Sequence, residues 1–170
     1  ILVNIFQKQK EMVKYVETFI GLREIPDEIA LCINISGCPN HCEGCHSSYL
    51  AEDIGTELTF EELEKLIKQN SGISTICFMG GDNDPDYIWT LGLLLETHYP
   101  NLKSAWYSGK QNMPDLSPEN FFRGIPFNFI KLGPYIAEKG PLDSKTTNQQ
   151  MWQIDKNTGK ATDITYKFWK

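Results

Sequence analysis

Short apolar strands alternate with capped helical stretches along most of this chain, and that alternation restricts its architecture more than any other feature. Between Glu28 and Ser36, the residues Ile29, Leu31, Ile33 and Ile35 fall on one side of an extended segment, while Ala30, Cys32, Asn34 and Ser36 fall on the other, following the period of two along a strand. One side is bulky and apolar and the other small and polar, which suits a strand that packs helices on one face and lines a ligand cavity with the other. An earlier strand is predicted over Val13–Leu22, separated from this one by the turn-like Arg23–Glu28. Downstream, Thr59 and Glu62 form a capping box that opens a helix through Phe60, Leu63, Leu66 and Ile67. A short strand over Ile73–Met79 follows. Asp84 and Pro85 then supply a cap and first turn for a helix carrying Ile88, Leu91, Leu94 and Leu95 to about Tyr99. Leu102–Gly109 is the next strand, Ser117 and Pro118 open a short helix, and Phe127–Tyr135 is another strand; the tail reads as a hairpin around Lys156–Gly159. The class is therefore α/β, with a parallel sheet that is open or partly closed into a barrel and functional loops at the carboxyl ends of its strands. Residues 12–170 are expected to form one domain, and residues 1–11 an N-terminal extension or remnant with no evident chemistry.

At the carboxyl end of the second strand stand Cys38, Cys42 and Cys45, three of the five cysteines in the chain, spaced C-x3-C-x2-C. Thiolates are soft ligands for zinc, Cu(I) or iron–sulfur clusters. With His41 or His46 as a fourth ligand they would close a tetrahedral zinc site. Without one, a cluster held by three cysteines keeps an iron open for chemistry. A chain of 170 residues with 41% hydrophobic content can bury a core without a metal staple, which leans against structural zinc. Cys32 and Cys77 lie inside apolar strands and read as packing residues. Trp106, Trp152, Phe121 and Phe122 read as core.

The balance of charge narrows the partners. A formal net charge of −6 with both signs interspersed gives no footprint for duplex nucleic acid and no polybasic membrane patch. No apolar run approaches the ~18 residues of a membrane span, and the first residues lack the pattern of a secretory signal. A cytoplasmic location is expected. No Ser-His-Asp set or paired-carboxylate site can be assembled.

The cysteine loop of residues 38–46, followed at the end of the next strand by Gly80, Gly81 and Asp82, resembles the signature of the radical S-adenosylmethionine (SAM) enzymes. Taken alone, the Gly-Gly pair would be an ordinary turn. Within that family, the short chain, Gly44 before the third cysteine, Gly133–Tyr135, Gly140–Leu142 and Thr147–Gln149 resemble the activating proteins of anaerobic, class III ribonucleotide reductases, over roughly residues 12–155. The resemblance implies a partial (βα) barrel of the radical SAM type, here with a C-terminal β-hairpin. It implies a [4Fe-4S] cluster on Cys38, Cys42 and Cys45, with S-adenosylmethionine chelating the open iron. Reductive cleavage would give methionine and a 5′-deoxyadenosyl radical, which takes a hydrogen from a glycine of the reductase and leaves a glycyl radical.

The implied partners are the catalytic subunit of the anaerobic reductase, whose glycine loop would complete the pocket, and a low-potential electron donor such as flavodoxin or ferredoxin. Gly80, Gly81 and Asp82 would bind the methionine moiety; Asn34, Tyr107 and Ser108 are further cofactor contacts at strand ends. Gly44 stands where many members carry an aromatic against the adenine, so His46 either takes over part of that packing or is an exposed loop histidine. Lys131 stands where many activases carry an acid; it pairs with a carboxylate of the cofactor or the partner, or else stays solvated. The alternatives are an activase of another glycyl radical enzyme, a small-molecule radical SAM enzyme, or a non-catalytic zinc or iron–sulfur binding module.

Overall fold

The computed structural model describes residues 12–115 and 124–169. The helix expected to open at Ser117, together with Phe121 and Phe122, lies outside the described residues, as does the segment 1–11.

In chain order the elements are β1 (Lys14–Gly21), β2 (Ala30–Ile35), β3 (Thr56–Glu57), α1 (Phe60–Gln69), β4 (Thr75–Met79), α2 (Pro85–His98), β5 (Lys103–Tyr107), β6 (Phe129–Leu132), β7 (Gln150–Asp155) and β8 (Lys160–Asp163). They form one mixed sheet in the order β3-β1-β2-β4-β5-β6-β7-β8. The four central strands β2, β4, β5 and β6 run parallel. The flanking pairs are antiparallel: β1 on β2, β3 on β1, β7 on β6 and β8 on β7. The expected parallel sheet is thus the middle of a larger mixed one, because the two chain ends add hairpins rather than crossovers. The two-residue β3 has no signal in the sequence and exists only through its pairing with Lys14 and Tyr15.

Helix positions follow from capping. Thr59 Oγ1 accepts from the Glu62 amide at 3.1 Å, the forward half of the capping box. The Glu62 carboxylate accepts from the Tyr15 hydroxyl at 2.7 Å and from Lys65 at 3.3 Å, which ties α1 to β1. Asp84 accepts from the Tyr87 amide at 3.1 Å with Pro85 in the first turn, where a missing N–H costs nothing.

The sheet buries both faces, and the two-residue period of β2 decides what goes where. Leu31, Ile33 and Ile35 join Ile76, Phe78, Trp106 and Ile130 under Leu63 and Leu66 of α1 and Ile88, Trp89, Leu91 and Leu95 of α2. Phe127 locks this core, edge-on to Phe78 and Trp89 at 82° for each pair. Ile29 differs from expectation: it lies before the first residue of β2 and is 44% exposed. On the opposite face Ala30, Cys32, Cys77, Ala105, Phe129 and Met151 are covered by Ile25, from the β1–β2 connection, and by Ile164. That face was expected to line a cavity; toward the amino ends of the strands it is filled by side chains instead. The Tyr107 hydroxyl donates to the Glu24 carbonyl, fastening the connection over β5. Among the described residues no helix is long and apolar enough to cross a membrane.

Candidate metal centre

β2 runs straight into the cysteine loop, which is closed by its own backbone. The Gly37 amide donates to the Glu52 carbonyl at 3.0 Å and the Cys38 amide to the Leu50 carbonyl at 2.9 Å. Ser36 Oγ donates to the Ile54 carbonyl at 2.6 Å. Inside this clasp the chain turns tightly: the Cys45 amide donates to the Cys42 carbonyl at 3.2 Å, and His41 and Gly44 have φ of +46° and +72°. The thiols of Cys38, Cys42 and Cys45 are free and partly exposed, whereas Cys32 and Cys77 are free and buried.

Three strand ends converge on this loop. Gly80 and Gly81, at the end of β4, have φ of +112° and +96°, a region side-chain-bearing residues avoid. A Cβ on Gly81 would come 2.4 Å from Ile88 Cγ1, and one on Gly80 would come 3.1 Å from the Ile35 carbonyl oxygen. Both glycines are therefore demanded by the local backbone and its packing. Asp82 follows, 8% exposed, and its carboxylate collects donors from two other loops. Ser108 Oγ donates to it at 2.6 Å, the Gly109 amide at 2.8 Å and Asn40 Nδ2 at 2.6 Å. Asn40 Nδ2 also lies 3.6 Å from Cys38 Sγ. The Asp82 carboxylate is thus occupied within the protein, joining the cysteine loop to the ends of β4 and β5.

Lys131, in β6, is 8% exposed and donates to the Gly133 carbonyl at 2.7 Å; it is not a solvated strand-end lysine. Burial pushes its pKa down to about 8, against the opposing charge interactions with Cys42, Asp82, Cys45 and Cys38. Gln149 Nε2 reaches the same Gly133 carbonyl at 3.4 Å, and the Gly133 amide donates to the Lys110 carbonyl at 2.7 Å. The exposed His46 ring packs on Tyr135, with centroids 5.8 Å apart. Tyr135 Cε1 also stands 3.7 Å from where a Gly44 Cβ would be, so an aromatic from a distant segment lies beside the glycine.

Of the residues picked from the sequence, Asp82, Ser108 and Lys131 gather with the cysteine loop. Asn34 instead donates to Glu17 at 3.1 Å, and Glu17 also accepts from the Tyr49 hydroxyl. Tyr107 turns to the Ile25 side of the sheet. Asn40 and Gly109 were not singled out, and Tyr135 was named only as part of the Gly133–Tyr135 pattern. Asn40 sits between Cys38 and Cys42, but its partner Asp82 is 42 positions away, and that pairing has no local signature.

The donor set fits an iron–sulfur cluster in kind: three soft thiols in one loop, with a buried ammonium to offset thiolate charge. Among the described residues, no three His, Cys, Asp or Glu side chains are drawn together as a single metal ion would require. A family model described as a 4Fe-4S single cluster domain matches residues 26–120, more than half of the chain. The chain belongs to that family. The matched segment runs from before β2 to beyond β5 and so includes the cysteine loop, Gly80–Asp82 and Ser108; Lys131 and Gly133 fall after it. No curated protein and no solved structure matches the chain. All five cysteines fall in the matched segment, Cys38, Cys42 and Cys45 partly exposed and Cys32 and Cys77 buried. Redox chemistry is compatible with that membership.

Proposed function

We propose that this protein is a radical SAM activase that binds S-adenosylmethionine at a cluster on Cys38, Cys42 and Cys45 and generates a glycyl radical on an anaerobic, class III ribonucleotide reductase. The observation that carries this reading is the union of the C-x3-C-x2-C loop at the end of β2 with the Gly80–Asp82 turn at the end of the neighbouring parallel strand β4, linked through Asn40 and Asp82. The parallel run β2-β4-β5-β6 is, in this reading, the (βα) part of a partial barrel whose strand ends face the cofactors.

When bound, the cluster would supply an open iron and one electron for cleaving the sulfonium carbon–sulfur bond. The chain's own residues do the positioning. Three cysteines leave one iron without a protein ligand. Gly80 and Gly81 set the tight turn at the end of β4, with the Gly80 amide bonded to the Tyr107 carbonyl and its carbonyl to Trp106 Nε1, and Lys131 adds a buried positive charge that the loop thiols and Asp82 favour. Asp82, engaged by three donors, orders the loops rather than meeting the ligand's ammonium. The reductase would supply the glycine, and a flavodoxin or ferredoxin the electron.

Anaerobically reconstituted protein, reduced with dithionite, should convert S-adenosylmethionine to methionine and 5′-deoxyadenosine, and Cys42→Ala should not. Mixing with a class III reductase should produce a glycyl radical signal by electron spin resonance. Cleavage without that signal would leave the radical SAM assignment and remove the partner.

A further inference from the structure

We propose that Asn40 tunes the reduction potential of the cluster by hydrogen-bonding to Cys38 Sγ, with Asp82 and Gly109 holding its carboxamide in place. This deepens the reading above and rests on the triad holding a cluster.

Asn40 has two N–H hydrogens on Nδ2, and two acceptors meet them: Asp82 Oδ2 at 2.6 Å and Cys38 Sγ at 3.6 Å. The Asp82 bond is the strong, charge-assisted one and fixes the plane of the amide. It leaves the second hydrogen for the sulfur, at ordinary N–H···S range. Asp82 is itself held by Ser108 and the Gly109 amide, so the amide is anchored to β4 and β5 rather than to its own loop. Gly109 is the third part of the device, since a Cβ there would lie 2.4 Å from Asn40 Nδ2 and 3.0 Å from Asn40 Cγ. Only a glycine lets the carboxamide occupy this place.

The physical effect follows from charge. Reduction adds one electron to the cluster and breaks no bond, and part of the added negative charge resides on the ligand sulfurs. A donor N–H stabilises that charge more in the reduced than in the oxidised state, which raises the potential; hydrogen bonds to cluster sulfurs are a recognised lever on it. Asn40 is therefore a positioning and tuning residue: it touches a ligand atom, not the substrate.

The test uses the full chain, reconstituted anaerobically as wild type, Asn40→Leu and Gly109→Ala. Iron content, melting of the apo form and the midpoint potential by redox titration are read on each. Leu is close to Asn in size and removes the donor; Ala at 109 keeps Asn40 but displaces its amide. Both variants should retain the cluster and shift the midpoint to more negative potential, with the reduction equilibrium constant falling about threefold to tenfold, the worth of one net hydrogen bond. Loaded variants with an unchanged midpoint would overturn the inference while leaving the cluster assignment intact. Loss of iron from both variants would overturn it too, because the amide would then be holding the loop rather than tuning the couple. A wild type that takes up no cluster would overturn the cluster reading itself and, with it, this inference.

Discussion

Cys32 and Cys77 face one another in register across the parallel strands β2 and β4, both fully buried. Burial, followed by the neighbouring Cys32, pushes the Cys77 thiol well above its ordinary pKa, and a thiol that stays protonated is a poor nucleophile. The three loop cysteines are partly exposed. Brief alkylation of the native apo protein should therefore label Cys38, Cys42 and Cys45 and spare Cys32 and Cys77, while denatured protein labels all five. Mass mapping of the labelled peptides reads the pattern. Cys32→Ala and Cys77→Ala should keep the wild-type iron content, and Cys42→Ala should lose it.

Gly81→Ala should destabilise the apo protein by about 1–3 kcal/mol through backbone strain at φ +96°, with a further cost from the overlap with Ile88. Part of that cost belongs to one contact, so the Gly81→Ala/Ile88→Ala double variant should lose less stability than the sum of the two single changes. Denaturant melts of the four proteins complete the cycle. Strict additivity would mean that Ile88 does not confine this turn.

Glu28 sits with its side chain 7% exposed. Burial alone would raise its pKa, but hydrogen bonds from Lys103, Ser74 and Thr75 outweigh it and hold the carboxyl below the ordinary 4.5. Between the folded and unfolded pKa values the unfolded chain binds more protons, so this contribution is present above pH 4.5 and is lost as pH falls through the lower folded value. Glu28→Gln should lower stability near neutral pH and flatten the acid limb of the stability curve. Chemical melts from pH 7 down to pH 3 measure the difference.

Thr59→Ala removes the acceptor for the Glu62 amide and should cost about 1 kcal/mol, the usual worth of an N-cap. Thr59→Ser should restore most of it. Glu62→Gln probes a different bond, the one from the Tyr15 hydroxyl. Burial and that same carboxylate hold the Tyr15 pKa up at about 12; in the Gln variant it should fall, visible as tyrosinate absorbance at lower pH.

Local features were the legible ones. The faces of β2 followed from alternation, the start of each helix from Thr59 and from Asp84 with Pro85, and the hairpin from the turn at Lys156–Gly159. The cysteine loop was equally visible, because its three thiols lie close together in the chain. Features made by distant partners were not. β3 is two residues held by β1, and nothing in Thr56 or Glu57 announces a strand. Ile25 seals the second face from within a segment that looked like a plain turn. Lys131 looked as though it could be solvated, yet it is buried and its ammonium is bonded to the Gly133 carbonyl. Asn40 could not be weighed at all without Asp82 beside it.

Since the Asp82 carboxylate takes its donors from Asn40, Ser108 and Gly109, the cysteine hairpin is not a portable cassette. A synthetic peptide of residues 36–48, or a graft of that stretch onto a foreign strand end, would carry the sulfur ligands but leave their anchor behind. Such a maquette would present three thiols without the Asp82 contact that holds Asn40 beside Cys38.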